Sequence, residues 1–214
     1  MYALIQNNQI KVGPRDWRYY FFKQYLDTNN LDASTLPISE PADKKVITPD
    51  WKIIPVTMLD IPQYNQLFEQ LAGPYWEVYD DYITGSYSIA DLPVDSSKNK
   101  LKEVVTETRY NAEVGGCPFT FADGTSVTLY TSREDRSVYL QAYQIMSEDQ
   151  TIVFKFAGAV FKSVTKAELG LIVTAGAAHI QSVFDWEAQK YTEIDACNTI
   201  EELRLINITY PESE

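Results

Sequence analysis

The sequence has one histidine, His179, and two cysteines, Cys117 and Cys197. Two thiols are too few for a disulfide framework or a four-ligand zinc site. They stand 80 positions apart, and the expectation is two small thiols in the interior. One imidazole leaves nucleophilic catalysis a single base to work with. No G-x-S-x-G, C-x-x-C or H-E-x-x-H run accompanies it. Positive charge is also scarce, with Lys+Arg 18 against Asp+Glu 30 and a formal net charge of -12. No basic field exists to release counterions from nucleic-acid phosphate or to hold an anionic membrane surface. No stretch approaches the ~18 consecutive apolar residues of a membrane span. The opening MYALIQNNQI has neither the basic nor the apolar part of a secretory leader. The expectation is a protein made in a cytoplasm, with no nucleic-acid and no membrane partner.

Aromatic side chains, by contrast, are plentiful. They make up 13% of the chain, with 15 Tyr, and hydrophobic residues total 45%. That is enough apolar surface to offset chain entropy. Tyr and Trp are apolar on the face and polar at the tip, which suits protein interfaces. The length of 214 residues fits one medium domain or two small ones.

Residues 1–12 read as a small hairpin turning at Gln6–Gln9, and Gly13-Pro14 is expected to end it. Arg15–Leu26 is ambiguous: Asp16 suits a helix cap, yet WRYYFF is strand material. From Thr28 to Pro62, five prolines limit the chain to short elements. A strand at Trp51–Leu59 would lie on an edge or carry a bulge, because Pro55 has no N–H to donate. Tyr75–Tyr79 and Ser86–Ile89 read as a hairpin, and Leu92–Ser97 as a boundary.

After that boundary the local signals sharpen. Asp95 or Ser96 is expected to cap a helix running to about Glu113, with Leu101, Val104, Val105, Thr108 and Ala112 on one face. Gly115-Gly116 would end it. Pro118–Phe121 and Ser126–Tyr130 flank an Asp-Gly turn. Ser132 with Asp135 imitates a capping box, and Val138, Ala142 and Ile145 suggest the apolar stripe of the helix that follows. Thr151–Phe156 and Ala159–Val164 form a second hairpin. Thr165 with Glu168 is a capping box for a long helix to about Asp195, striped by Leu169, Ile172, Val173, Gly176, Ile180, Val183, Phe184, Tyr191 and Ile194. Thr199 with Glu202 repeats the box for a short last helix. Ile206 to Glu214 reads as an extended arm or surface strand.

Candidate chemistry is sparse. His179 falls inside the long helix, near Val183 and Trp186, a packing or interface position. Glu134-Asp135 suits a helix N-terminus, and Asp80-Asp81 suits a turn. A glycan hydrolase would need two such carboxyls about 5–9 Å apart. Gly115-Gly116 is followed by Cys117-Pro118, not the Lys-Ser/Thr of a phosphate loop. No catalytic, cofactor or metal residue is assigned. The dense run Trp17, Tyr19, Tyr20, Phe21 and Phe22 has two readings, core or contact surface. Together with Trp51, Tyr75 and Trp76 it forms the candidate protein interface.

Several stretches match a known family. They are Arg109–Gly116 at the end of a helix, Thr131–Arg136 opening the next, and Phe161 before Val164–Leu169. His179–Glu187 on the long helix, Ile194–Ala196 and Thr199–Leu203 continue the match. From Lys100 to about Ile208 the chain resembles the DUF4376 family, which recurs in tailed-bacteriophage and prophage proteins. MYALIQNNQI and Tyr64–Pro74 resemble modules that precede this domain in tail-fibre-region proteins, with a departure at WRYYFF. The resemblance implies a structural protein of a phage tail or baseplate, with tail-fibre or baseplate partners and a virion location. It also implies self-association, with a trimer favoured because phage fibres are commonly trimeric. It implies neither enzyme activity nor a cofactor. An assembly chaperone for the fibre is the alternative.

The fold expected is α+β. Residues 1–94 would form a small β-rich docking module. Residues 95–214 would form an α+β domain with two hairpins and a long C-terminal helix.

Overall fold

The structure, a computed structural model, describes residues 1–211. The fold is α+β. The chain divides into two compact units, Met1–Asp91 and Leu92–Glu214.

The first unit is a mixed sheet with one helix. Strands β1 (Tyr2–Gln6) and β2 (Gln9–Arg15) form the expected hairpin. Asn7 and Asn8 both take positive φ, 51° and 60°, as a two-residue turn matched to strand twist requires. Gly13-Pro14 does not end β2, which runs on to Arg15. It can do so because β2 is an edge strand, where a proline costs no ladder bond. Helix α1 (Tyr19–Thr28) resolves the ambiguous segment, and Asp16 does not cap it. A short β3 (Lys45–Val46) precedes β4 (Trp51–Met58), β5 (Glu69–Val78) and β6 (Ile83–Asp91). The sheet order is β2-β1-β4-β6-β5, with β3 also on β4.

Strand β4 is therefore central and pairs without a register shift, contrary to the edge position or bulge expected from Pro55. The register explains it. Tyr2 stands opposite Pro55, and the Val56 N–H donates to the Met1 carbonyl at 2.8 Å. The nitrogen of Pro55 therefore points away from β1. On that other side β3 pairs only with Lys52 and Ile53, and β6 begins pairing at Val56. The missing donor falls in the gap between the two.

Helix α1 covers one face of this sheet. Phe22 and Leu26 pack there with Tyr2, Leu4, Val12 and Ile53. The other face holds Ala3, Ile5, Ile54, Val56 and Ile83. Burying each large aliphatic side chain stabilises the fold by roughly 1.5–3 kcal/mol.

The second unit is built on helices. Helix α2 (Val94–Val114) starts after Pro93 rather than at a side-chain cap, so Asp95 and Ser96 lie in its first turn. Gly115 is still right-handed, and Gly116 takes the left-handed φ of 93°. A Cβ on Gly116 would stand 2.7 Å from the Leu129 carbonyl oxygen. Strands β7 (Cys117–Thr120) and β8 (Ser126–Leu129) form one hairpin. Helix α3 (Arg133–Ile145) is capped by Ser132, whose hydroxyl accepts from the Asp135 N–H. Strands β9 (Thr151–Phe156) and β10 (Val160–Thr165) form the second hairpin. Helix α4 (Lys166–Ala196) carries the expected capping box: Thr165 N–H donates to Glu168 Oε2 at 2.9 Å, and Glu168 N–H to Thr165 Oγ1 at 3.2 Å. Helix α5 (Ile200–Arg204) has the same box from Thr199 and Glu202.

The core of this unit joins Phe121, Leu129, Tyr139, Phe156, Leu169 and Ile172. Helix α4 packs against both α2 and α3. By length and composition α4 is apolar enough to cross a membrane; 22% of its most apolar window is buried, and Leu169, Ile172, Val183 and Ile194 are among its buried residues. The stripe expected for α3 is displaced. Val138 is 53% and Ile145 79% exposed, and the buried side runs Tyr139, Ala142, Met146. The arm after Leu205 is irregular as far as Pro211, with the Tyr210 ring edge-on to Trp186 at 5.4 Å. Its Glu-Ser-Glu end lies outside the described residues.

Candidate functional site

The eight aromatics proposed as an interface separate into different environments. Phe22 is 0% exposed, so it is core and cannot meet a partner. The periodicity of α1 turns it towards the sheet beside Leu26, and Trp17 stacks on it at 5.1 Å. Trp17, Tyr19, Phe21 and Trp51 are half-buried against the same cluster. Trp76 lies across Gly85, where a Cβ would stand 2.2 Å from its ring, so it fills the space that the glycine leaves. Only Tyr20, 81% exposed, and Tyr75, 53%, stand well clear of the surface.

The acidic pairs are engaged locally. Asp81 pairs with Lys44, and Asp80 lies 3.7 Å from Lys52. Asp135 accepts from the Ser132 hydroxyl at 2.6 Å at the start of α3, beside Glu134. Asp123, in the β7–β8 turn, accepts from Lys162 and from the Thr125 N–H, and these hydrogen bonds lower its pKa to about 2. Among the described residues no three His, Cys, Asp or Glu side chains converge as a metal site.

His179 is a strut. Its Nε2 lies 3.0 Å from the Ala112 carbonyl oxygen, which can only accept, so this nitrogen carries the proton. The contact ties the last turn of α2 to α4. Cys117 and Cys197 are free thiols, Cys117 buried and Cys197 half-buried. Burial pushes the Cys117 thiol above its ordinary value, which makes it a weaker nucleophile at neutral pH.

A further surface lies between α3 and α4, where sequence reading placed nothing. A cavity of about 170 Å³ opens there. Leu129, Tyr139 and Ile172 wall it, and Gly176 of α4 forms its floor. The exposed Tyr130 and Leu140 stand at its mouth with Arg136. Burial raises the pKa of the Tyr139 phenol, so it stays neutral. Gly176 is buried, yet a Cβ built there would meet nothing within 4 Å. A helix-interior glycine costs about 1 kcal/mol relative to alanine, and no close contact requires this one.

Beside the cavity, sharing Arg136 and Leu140 with it, is a second cleft of about 280 Å³ lined also by Glu113, Arg133 and Phe184. Its floor is an ion-pair network. Glu113 accepts from Arg109 through one oxygen and from Arg136 Nη2 at 2.9 Å through the other. Arg109 Nε lies 3.3 Å from Glu187 without hydrogen-bond geometry, and its guanidinium sits 5.0 Å from the Phe184 ring centre. The network joins α2, α3 and α4 and holds Arg136 at the cavity mouth.

Residues 96–209 match a family described as a domain of unknown function (DUF4376). The chain belongs to the DUF4376 family. The cavity, the ion-pair network and His179 all lie within the DUF4376 domain, whereas Trp17–Phe22 lie outside it. No curated protein and no solved structure matches the chain.

The cavity eluded sequence reading because its floor is an absence, a glycine in a stripe that otherwise reads as core. The available signal was Gly176 itself, an unfavourable residue in the middle of a 31-residue helix.

Proposed function

We propose that this chain is a non-enzymatic structural protein of a phage tail or baseplate, an adaptor that attaches or positions a tail fibre. An adaptor needs two contact surfaces. The observation that carries the reading is that each unit exposes its own large apolar side chains. In the first unit these are Tyr75, Tyr79 and Tyr82 around the β5–β6 hairpin, with Tyr20 on α1. In the second they include Leu140 and Tyr130 at the cavity mouth and Phe184 beside it. Exposed aromatic and aliphatic groups of this kind anchor protein contacts. The local engagement of the acidic pairs in caps, turns and ion pairs is consistent with a protein that holds rather than cleaves. The phage setting comes from the family resemblance, and assembly as a trimer belongs to the same reading.

The test is mass spectrometry of purified virions from a phage that encodes the chain. The protein is expected in stoichiometric amount with tail components. Presence in lysates bound to the fibre but absence from virions would make it an assembly chaperone instead.

A further inference from the structure

We infer that the α3–α4 cavity is an anchor pocket for one medium-sized apolar side chain of a partner protein, flanked in that partner by acidic residues. The inference rests on the adaptor reading and names the chemistry of one of its contacts.

Size selects the occupant. Pockets for drug-sized ligands run from about 300 to 1,000 Å³, and this cavity holds about 170 Å³. An apolar cavity of about 150 Å³ accepts a benzene-sized group. One leucine- or phenylalanine-sized group therefore fits, and a cofactor does not. The lining sets the polarity. Leu129, Ile172, Val173 and Leu140 offer no hydrogen bond, and the Gly176 floor leaves open the space that a side chain there would occupy.

Charge selects the flanks. The chain as a whole carries -12. The first two turns of α3 nevertheless place Arg136 at both clefts and Arg133 at the second. Arg136 is shared with Glu113. Arg133 is exposed, and among the described residues it forms no ion pair. A guanidinium without an ion pair, in the cleft that adjoins the apolar cavity, favours an apolar anchor whose neighbours are carboxylates.

The test uses the full chain, labelled with ¹⁵N, titrated with two acetylated, amidated peptides: Asp-Glu-Leu-Asp-Glu and Lys-Lys-Leu-Lys-Lys. The acidic peptide is expected to shift the amide signals of Tyr130, Leu140, Gly176 and Ala177 saturably, at least tenfold more tightly than the basic one. Gly176→Leu fills the cavity from inside and is expected to abolish these shifts. Should that variant fail to fold, Arg133→Glu, on an exposed side chain, is expected to weaken the acidic peptide at least fivefold and to favour the basic one. Absence of saturable shifts in the unaltered chain overturns the inference. So does equal binding of both peptides, or binding that a folded Gly176→Leu or Arg133→Glu leaves unchanged. Self-association dissolved by Gly176→Leu would make a second copy the occupant and overturn it too. The virion measurement is independent. A protein present in virions but blind to the peptide loses the pocket and keeps the adaptor role, and the reverse result does the opposite.

Discussion

The aromatic run Trp17–Phe22 and the α3–α4 groove offer two contrasting kinds of hydrophobic surface. The run is dense in sequence but mostly spent inward. Phe22 seals one face of a six-stranded sheet, Trp17 stacks on it, and Phe21 meets both Phe22 and the Arg15 guanidinium. The groove is inconspicuous in sequence, yet it keeps Leu140 and Tyr130 exposed over an unfilled space. A small module without disulfides must use its large side chains as core. A helical domain with a long core helix has apolar surface to spare. Aromatic density therefore marks what holds the first unit together, and a missing side chain marks where the second is open.

The contrast can be broken most forcefully at Phe22. Phe22→Ala is expected to destabilise the protein by about 3–5 kcal/mol, as large-to-small changes in a packed core do. Tyr20→Ala, two residues away on the exposed side of α1, is expected to stay within about 0.5 kcal/mol. Urea denaturation of both variants measures the difference. Similar losses at the two positions would show that the run is not divided into core and surface.

A middle-sized effect is expected at Glu113, which holds two arginines beside the groove. Its side chain is only 12% exposed, so the near-zero value of a surface ion pair does not apply. Glu113→Gln leaves charged partners under-satisfied and is expected to cost about 2 kcal/mol. The same denaturation experiment reads it. A neutral result would mean that Arg136 is held at the mouth by packing alone.

The smallest effect concerns Asp123 and pH. Its pKa in the folded chain is about 2, lowered by the Lys162 and Thr125 hydrogen bonds. Because the folded value lies below the usual ~3.9, its contribution to stability is full above about pH 4 and is lost as pH falls towards 2. Carbon-detected NMR titration should place the midpoint near 2 and, in Lys162→Ala, nearer the ordinary value. An unchanged midpoint in that variant would assign the shift to the turn itself.

Legibility followed the range of the interactions. The boxes at Thr165 and Thr199, the Ser132 cap and the Asp-Gly hairpin depend on residues three or four apart, and each formed as read. Helix α3 shows where that stops. It carries Val138, Tyr139, Leu140, Ala142, Tyr143 and Ile145, so more than one side is apolar and periodicity cannot choose between them. Packing chose Tyr139 and Ala142, because they meet the cluster around Phe154 and Ile172. Pro55 shows the same limit in a sheet: its position was decided by where β3 stops and β6 begins.

By itself, then, the sequence determined the α+β class, the caps of α3, α4 and α5, the two hairpins of residues 95–208, and the family. Each rests on local hydrogen bonding or on residue order. Only the tertiary structure decided which aromatics are core, that β4 is central, that His179 braces α2, and that Gly176 floors an opening. Those depend on what stands opposite a residue, and contacts between distant segments set that.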